Sequence, residues 1–247
     1  MSVILRTEKL SKFFGGLRAL QNVDLEVREH EILGMIGPNG AGKTTFFNTV
    51  CGVYAPDEGR VFLEGKEITG MATHRSARMG IGRTFQIVKP FLNLSVERNI
   101  LAALGKERMA GLSPALLGIG LEKNREEVRR LLRLVGIEGS IAQPARTLTL
   151  GHQKRMEIAR ALALKPKLLM LDEPFAGLSQ EEIRPLVQVI KKLRGEGLTI
   201  LLIEHNVPFV MEVCDRLVVL NFGEKLCEGT PQEVRADKRV IEAYLGS

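Results

Sequence analysis

The sequence predicts an α/β protein, and three observations support this fold class. Short apolar segments alternate with helical patterns over the second half of the chain, which is typical of a parallel sheet buried on both faces. The first 70 residues carry alternating apolar and polar positions, which favour antiparallel hairpins. A glycine-rich turn joins an early apolar strand to a helix. We therefore expect a mostly parallel sheet, an N-terminal antiparallel β sub-domain and an inserted α-helical sub-domain.

The strand predictions begin with period-two alternation. Apolar residues at 23, 25 and 27 are separated by charged ones, and the same pattern returns at 61 and 63. Between these hairpin segments, Glu31 to Ile36 forms a short apolar strand, and Thr44 to Cys51 has the pattern of a helix. The order strand, glycine-rich loop, helix is therefore expected near the start of the chain.

The middle of the chain is predicted to be helical. Apolar residues at helical spacing lie within Glu122 to Val135, and Gly136 is expected to end that helix. The uncharged stretch Ala110 to Leu121 contains Gly and Pro, and we interpret it as a loop or a partly buried segment rather than a membrane contact.

Helices and strands alternate after this region. Ser179 with Glu182 predicts a capping box, Pro185 is expected to kink the helix that follows, and Thr230 begins another helix. The predicted order is helix 153–164, strand 168–171, helix 181–194, strand 199–203 and strand 216–220. The expected organisation is a β-rich core with the glycine-rich loop over 1–86 and 153–220, a helical sub-domain over 87–152, and a C-terminal hairpin with helices over 221–247.

Composition excludes several classes of protein. The chain has 247 residues, 45% of them hydrophobic and 26% charged, which suits one large globular domain rather than a disordered chain. No segment approaches the roughly 18 consecutive apolar residues of a membrane span, and the N-terminus lacks the regions of a signal peptide. The three cysteines form no CxxC pair, which argues against a zinc site or a disulfide framework and favours the cytosol.

The net charge of +6 does not by itself identify a partner. The 35 basic residues are interspersed with 29 acidic ones, and no run of four or more Lys or Arg is present. We therefore expect no nucleic-acid partner.

One motif carries specific chemistry. Residues 37–44 match G-x-x-x-x-G-K-[ST] and lie between the predicted strand and helix, where a phosphate-binding loop belongs. Backbone N–H groups and the start of the helix would face phosphate oxygens, Lys43 would supply a charge, and the Thr44 hydroxyl would bind Mg²⁺. The loop residues are Gly37, Pro38, Asn39, Gly40, Ala41, Gly42, Lys43 and Thr44.

Two carboxylates follow the strand 168–171. Because open α/β sheets bind ligands at the carboxyl ends of their strands, Asp172 and Glu173 are placed where a phosphate site would need them. Adjacent strand residues point in opposite directions, so Asp172 is predicted to face Mg²⁺ while Glu173 polarises an attacking water.

Together these segments resemble the ATPase subunit of an ATP-binding cassette (ABC) transporter, over nearly the whole chain. The segment 83–86 resembles the loop whose glutamine, here Gln86, contacts Mg²⁺ and the water and meets the membrane subunit. The segment 148–153 resembles the signature that reaches the γ-phosphate of the other subunit in a head-to-tail dimer, and His205 resembles the switch histidine. The resemblance implies ATP and Mg²⁺ as cofactors. It implies nucleotide contacts from Phe14, Ala19, Thr45, Thr149 and Gly151, catalysis by Glu173, His205 and Gln86, and metal binding by Thr44, Gln86 and Asp172.

The signature departs from the usual L-S-G-G-Q at three positions, at one of which Thr149 replaces the serine and keeps a hydroxyl donor. Leu150 replaces a glycine and removes its permissive φ, and His152 replaces the glutamine. Ser179 replaces a usual aspartate. Within the family, residues 15–17, 82–86, 176–178, 203–206 and 243–246 most resemble one of the two different ATPases of branched-chain amino-acid importers. The resemblance implies that this chain lies at the cytoplasmic face of the membrane. It also implies a non-identical second cassette, membrane permease subunits and, indirectly, an external solute-binding protein.

Other interpretations remain open at this point. Taken singly, His205 could be a satisfied histidine at a strand end, Gln86 a surface amide and Phe14 a core residue. ATPases of urea import and lipopolysaccharide export share much of the pattern. A nucleotide-gated clamp with little turnover, or an ABC protein acting on ribosomes or DNA, are further alternatives, although the chain has one cassette and no extended heptads.

Overall fold

The computed structural model describes residues 2–85, 90–105 and 117–245 of the chain. Within these ranges, ten strands and nine α-helices are assigned, with two short 3-10 turns at 138–140 and 145–147. The strands are β1 Val3–Phe14, β2 Leu17–Arg28, β3 Ile32–Ile36, β4 Glu58–Leu63, β5 Lys66–Glu67, β6 Ile81–Arg83, β7 Leu168–Asp172, β8 Thr199–Ile203, β9 Arg216–Asn221 and β10 Glu224–Gly229. The helices are α1 Lys43–Val50, α2 Thr73–Met79, α3 Val96–Leu104, α4 Leu117–Leu134, α5 Leu150–Leu162, α6 Gln180–Gly195, α7 Val207–Val213, α8 Pro231–Ala236 and α9 Lys238–Leu245.

The central sheet has six strands in the order β10-β9-β3-β8-β7-β6. The five strands from β9 to β6 are parallel, and β10 pairs with β9 in the antiparallel direction. The parallel register brings Asp172 beside Ile203 at the carboxyl ends of β7 and β8. Residues that follow these two strands therefore emerge at the same edge, which confirms the predicted α/β class.

Both faces of this sheet are buried, as the short apolar strands predict. In β7, Leu169 and Leu171 pack into one hydrophobic cluster with α5 and α6, whereas Leu168 and Met170 pack into the other. The second cluster includes Phe46 and Phe47 of α1 and the inner face of the N-terminal sheet. The polar edges of the sheet are consequently the places left for a site.

The N-terminal sheet is antiparallel, with the strand order β2-β1-β4-β5. The predicted alternation is confirmed: residues 23, 25 and 27 are buried, while Asp24, Glu26 and Arg28 are exposed. This sheet lies over α1 and places Phe14 and Ala19 near the phosphate loop.

The helical middle of the chain differs from the prediction in two places. Helix α4 begins at Leu117, so residues 117–121 belong to a helix and the loop interpretation is wrong for them, while 110–116 lie outside the described residues. Gly136 follows α4 with φ +71°, as a helix-ending glycine should. Helix α5 begins at Leu150 rather than 153 because Thr149 caps it, so the sub-domain boundary expected after 152 falls inside this helix.

Capping chemistry fixes the later helices. The predicted capping box of Ser179 and Glu182 is present at the start of α6, and Thr230 with Glu233 forms a second one at α8. Helix α6 runs through Pro185 to residue 195. Among the described residues, no helix combines the length and the apolar character that crossing a bilayer requires.

Candidate functional site

The phosphate loop runs from the end of β3 to the start of α1. At two of its positions a side chain would clash with the neighbouring backbone, so glycine is required. Gly37 has φ +149°, and a Cβ there would lie 2.1 Å from the carbonyl oxygen of Leu220. Gly42 has φ +101°, and its Cβ would lie 2.5 Å from the carbonyl oxygen of Ala19. Only glycine fits such close approaches. The loop therefore leads directly into the first turn of α1, whose free N–H groups suit an anion.

Lys43 is the first residue of α1 and is buried. Its Nζ donates to the carbonyl oxygens of Gly37, at 2.7 Å, and Pro38, at 2.8 Å. An ammonium group has three protons, so these two contacts leave one for a phosphate oxygen. Burial lowers the pKa of Lys43, and the carboxylates of Glu173 and Asp172 oppose that change.

A cavity of about 360 Å³ opens beside this loop. It brings together most of the residues predicted to bind nucleotide, along with the two predicted catalytic residues at the sheet edge. The lining consists of Phe14, Leu17, Arg18, Ala19, Asn39, Gly40, Ala41, Gly42, Lys43, Thr44, Thr45, Glu173, His205 and Phe222. Gly37 and Pro38 shape the loop behind it, and Gln86 lies outside the described residues.

Two aromatic side chains, Phe14 and Phe222, line the cavity. The ring of Phe14 is partly exposed and meets Tyr54 edge to face at 5.2 Å. Phe222 is 85% exposed and lines the same cavity from the turn between β9 and β10. That turn is held in place because Gly223 N donates to Ala41 O at 3.1 Å. The sequence indicated Phe14 but not Phe222, since a turn residue gives no local sign of the loop it will lie against.

The carboxylates after β7 are arranged differently from a simple strand. The strand ends at Asp172, and Glu173 already has φ +48°, so the two side chains diverge because of a turn rather than strand alternation. Asp172 is buried, and its Oδ2 pairs with Nη2 of Arg83 at 2.9 Å. Glu173 lines the cavity, and its Oε1 lies 2.8 Å from Nε2 of His205.

Glu204 holds the two loops of this edge together. Its buried carboxylate accepts hydrogen bonds from the backbone N–H groups of Phe175 at 2.6 Å, His205 at 3.0 Å and Asn206 at 3.3 Å. Burial raises the pKa of Glu204, and these three hydrogen bonds oppose the rise. The sequence did not indicate this function for Glu204, because the N–H of Phe175 comes from the turn after a different strand.

Arg83 connects the edge to the phosphate-binding helix. Besides Asp172, its guanidinium donates from Nη1 to Oδ1 of Asn48 on α1 at 2.7 Å. Burial raises the pKa of Asp172, and the Arg83 contact opposes the rise. The geometry thus fixes one oxygen of Asp172 and leaves the other, Oδ1, buried without a hydrogen-bond partner.

These residues suit a magnesium ion whose ligands include phosphate oxygens as well as protein oxygens. The described residues contain no cluster of three or more His, Cys, Asp or Glu side chains that could hold a metal alone. Magnesium characteristically uses one or two protein oxygens together with phosphates and water. The unpartnered Oδ1 of Asp172 and the exposed Thr44 suit that kind of site.

The signature residues lie apart from the cavity. Thr149 caps α5, with Oγ1 accepting from His152 N at 3.3 Å, and a Cβ on Gly151 would approach Glu182 Oε1 at 3.3 Å. Neither residue lines the cavity beside the phosphate loop. Leu150 takes a helical conformation, so the concern about a lost glycine φ does not apply at this position.

A second cavity of about 300 Å³ lies next to the segment that precedes Gln86. Its lining includes Arg83, Phe85, Arg160 and Glu157, whose carboxylate accepts from Phe85 N at 3.3 Å. Glu157 is buried on α5, and burial raises the pKa of this carboxyl to about 7.

Comparisons with known proteins agree with this geometry. Residues 20–176 match the family described as ABC transporter, and residues 224–247 match that described as branched-chain amino acid ATP-binding cassette transporter. The chain is 43% identical to the high-affinity branched-chain amino acid transport ATP-binding protein BraF of Pseudomonas aeruginosa, over 98% of both chains. It is 36% identical to the lipopolysaccharide export system ATP-binding protein LptB of Haemophilus influenzae, over 98% of this chain and 97% of LptB.

Solved structures give the same result. The crystal structure of the ADP conformation of MJ1267, an ATP-binding cassette of an ABC transporter, superposes with a TM-score of 0.88 at 33% identity, over 100% of both chains. The dimeric structure of MJ0796, a bacterial ABC transporter cassette, superposes with a TM-score of 0.80 at 25% identity, over 92% of this chain and 99% of MJ0796.

The first prediction concerns Lys43. In Lys43→Ala, the glycines still shape the loop, but a phosphate charge has no partner, so ATP affinity should fall by at least about a hundredfold, which is about 3 kcal/mol. Nucleotide titration and thermal unfolding of the purified variant measure the effect. Lys66→Ala, at an exposed position, is the control. Unchanged ATP affinity at an unchanged melting temperature would contradict the assignment of the loop.

The second prediction concerns pH and Glu157. The pKa of this carboxyl is raised in the folded state from 4.5 to about 7, so between these values the unfolded chain loses its proton first and stability falls as the pH rises. Glutamine does not titrate. Relative to the wild type, Glu157→Gln should therefore gain up to about 3 kcal/mol of stability between pH 5 and pH 8. Denaturant unfolding at both pH values tests this, with Glu126→Gln as an exposed control. A pH-independent difference would refute it.

Proposed function

Because the chain belongs to the ABC transporter family and is one of its ATPase subunits, we propose that it powers the uptake of branched-chain amino acids through a membrane permease. The cavity that joins the phosphate loop to Glu173 and His205 is the observation that carries the ATPase part of the proposal. The match of residues 224–247 and the 43% identity to BraF, against 36% to LptB, favour branched-chain amino acids over lipopolysaccharide as the transported class.

ATP binding follows from the lining of the cavity. The triphosphate would lie along the loop of residues 37–44, with the remaining Lys43 proton on a phosphate oxygen. The base would lie toward Phe14 and Ala19, whose exposed ring and small side chain leave room for a flat group. Thr45 completes the phosphate end.

Magnesium would be held by the Thr44 hydroxyl and Oδ1 of Asp172, with Gln86 as a further proposed ligand. When bound, the ion would supply positive charge that offsets the negative charge of the phosphates. Arg83 holds Oδ2 of Asp172, so its role in this arrangement is to orient the carboxylate.

Glu173 is the proposed general base. It lies in the cavity next to the phosphate loop and can accept a proton from a water within hydrogen-bond reach. His205, which lies 2.8 Å from the same carboxylate, fixes the orientation of that oxygen and would contact the γ-phosphate. Gln86 is proposed to position the water.

The position of Thr149 and Gly151 supports a second cassette. Because they lie outside the cavity of their own chain, we propose that they contact the γ-phosphate bound by a partner in a head-to-tail dimer, in keeping with the dimeric MJ0796 cassette. The partner is proposed to be non-identical. The assembly would sit on permease subunits at the cytoplasmic face of the membrane, with a solute-binding protein acting from outside and no nucleic acid involved.

The transported class and the partners can be tested in one preparation. The tagged chain is captured from its native membrane, and the co-purifying subunits are identified. Recovery of a second cassette with permease subunits, and phosphate release that increases when leucine, isoleucine or valine reaches the external binding protein, would support the proposal. Co-purification with a lipopolysaccharide or urea transport complex would contradict the proposed transported class, but it would leave the ATPase assignment unchanged.

The third prediction concerns Glu173. Glu173→Gln keeps the size of the side chain but cannot accept the proton, so turnover should fall at least about a hundredfold while ATP affinity remains, and a closed dimer should accumulate. Steady-state phosphate release and sizing with ATP, both in the presence of the second cassette, measure this. Glu181→Gln, at an exposed position on α6, is the control. Hydrolysis at the wild-type rate would show that Glu173 is not the base, and it would favour a different mechanism.

The fourth prediction concerns assembly. If the partner is non-identical, the isolated chain should be mainly monomeric and slow, and it should speed up with a second cassette and the permease. An extra closure energy of about 3 kcal/mol would shift the closing equilibrium roughly a hundredfold. Phosphate release is measured against the concentration of this chain alone. Strong self-activation on concentration would favour a homodimer, whereas no turnover even in the complex would favour the nucleotide-gated clamp.

A further inference from the structure

Lys154 links helix α5 to the backbone of Glu173. The lysine lies one turn after Thr149 and Gly151, and only 5% of it is exposed. Its Nζ donates to the main-chain oxygen of Glu173 at 2.8 Å. A single side chain therefore connects the helix that carries the signature residues with the residue proposed to activate water.

The burial of this ammonium group is compensated by carboxylates from several elements. Burial lowers the pKa of Lys154, and four acidic residues oppose that change: Glu204, Glu157, Glu173 and Asp172. These come from the ends of β7 and β8 and from α5 itself. Burying a lysine without such partners would destabilise the folded state. The carboxylates of the site therefore determine where the Lys154 ammonium group lies.

The backbone of Glu173 needs support of this kind. Its φ of +48° lies in the left-handed region, which non-glycine residues rarely adopt. The N–H of Glu173 donates to Ile203 O at 3.0 Å, and its carbonyl oxygen accepts from Ala176 N at 3.2 Å as well as from Lys154. The conformation is thus held from both sides, and the charged donor is the strongest of these contacts.

We propose that Lys154 is a positioning residue for Glu173, and that it couples the start of α5 to the orientation of the catalytic carboxylate. The hydrogen bond fixes the carbonyl of residue 173, and with it the direction in which the Glu173 side chain enters the cavity. Movement of α5 reaches Glu173 through this contact. The proposal rests on the proposed function, because it presumes that Glu173 acts on water.

The test uses the tagged complex purified from its native membrane, carrying Lys154→Met, Lys154→Gln or Lys154→Arg. Loss of the charged donor in Lys154→Met should lower kcat about 30-fold, equivalent to about 2 kcal/mol, and leave the KM for ATP within about twofold. Lys154→Arg keeps a charged donor and should stay within about fivefold of wild-type kcat. Lys191→Met, which removes a surface contact of the same 2.8 Å length to Glu212, is the matched control and should leave kcat unchanged.

A second measurement does not depend on turnover. In the nucleotide-free full chain, hydrogen exchange of the Ala176 and Leu178 amides should accelerate at least about fivefold in Lys154→Met, because the turn that contains them loses its anchor. Lys154→Gln, which retains a neutral donor, should be intermediate and serves as the reporter if Lys154→Met does not fold.

The outcomes separate this inference from the proposed function. If the wild-type complex hydrolyses ATP and the Met and Gln variants do so at the wild-type kcat, Lys154 does not position Glu173, and the ATPase assignment stands. An Arg variant as slow as the Met variant, or a loss expressed only in KM, would also overturn the inference. If the wild-type complex releases no phosphate, the proposed function fails, and the exchange measurement then decides the structural part alone.

Discussion

The exclusion of water from charged groups at the carboxyl edge of the parallel sheet determines how this site is built. An ionised group in such a place is destabilised unless an opposite charge or hydrogen bonds compensate for its burial. Asp172 pairs with Arg83, and Glu204 accepts hydrogen bonds from three backbone N–H groups. Lys154 donates a hydrogen bond to the carbonyl of Glu173. The contacts Asp172–Arg83, Glu204–Phe175 and Lys154–Glu173 join elements that are distant in sequence, so satisfying the charges also fixes the positions of the loops.

The same sheet explains why the chemistry is confined to one edge. Both of its faces are covered by apolar side chains, and the parallel direction of five strands sends their carboxyl ends to a common side. The phosphate loop leaves β3 on that side, between the turns that follow β9 and β8. Its glycines let the loop approach the carbonyls of Leu220 and Ala19. The N-terminal sheet and the turn at Phe222, between β9 and β10, supply the rest of the cavity lining.

Local sequence patterns predicted the strands and the loop, which depend mainly on residues close together in the sequence. Periodicity gave the alternating strands and the buried parallel strands, and the loop motif gave Lys43 and Thr44 together with their place between strand and helix. The patterns did not predict Glu204, Lys154 or Phe222 as parts of the site, because each belongs to it through a contact with a segment that is distant in the sequence. The start of α4 at Leu117 was missed because glycine and apolar residues give a weak helical signal. The left-handed φ of Glu173 was not predicted, because a glutamate in the sequence does not indicate that conformation.

The change at Leu150 shows how a departure from a family pattern acquires its physical meaning from the structure. In the sequence, the replaced glycine implied a lost backbone conformation. In the structure, Thr149 caps the helix and residue 150 is helical, so no positive φ is needed. What changes is the side chain: Leu150 is 40% exposed, and a Cβ on Gly177 would lie 3.1 Å from its Cδ2. In the proposed head-to-tail arrangement, Leu150 therefore adds apolar bulk beside the loop that precedes Ser179. A partner must accommodate that bulk, so the departure acts on the fit between two cassettes and leaves each chain's own fold intact.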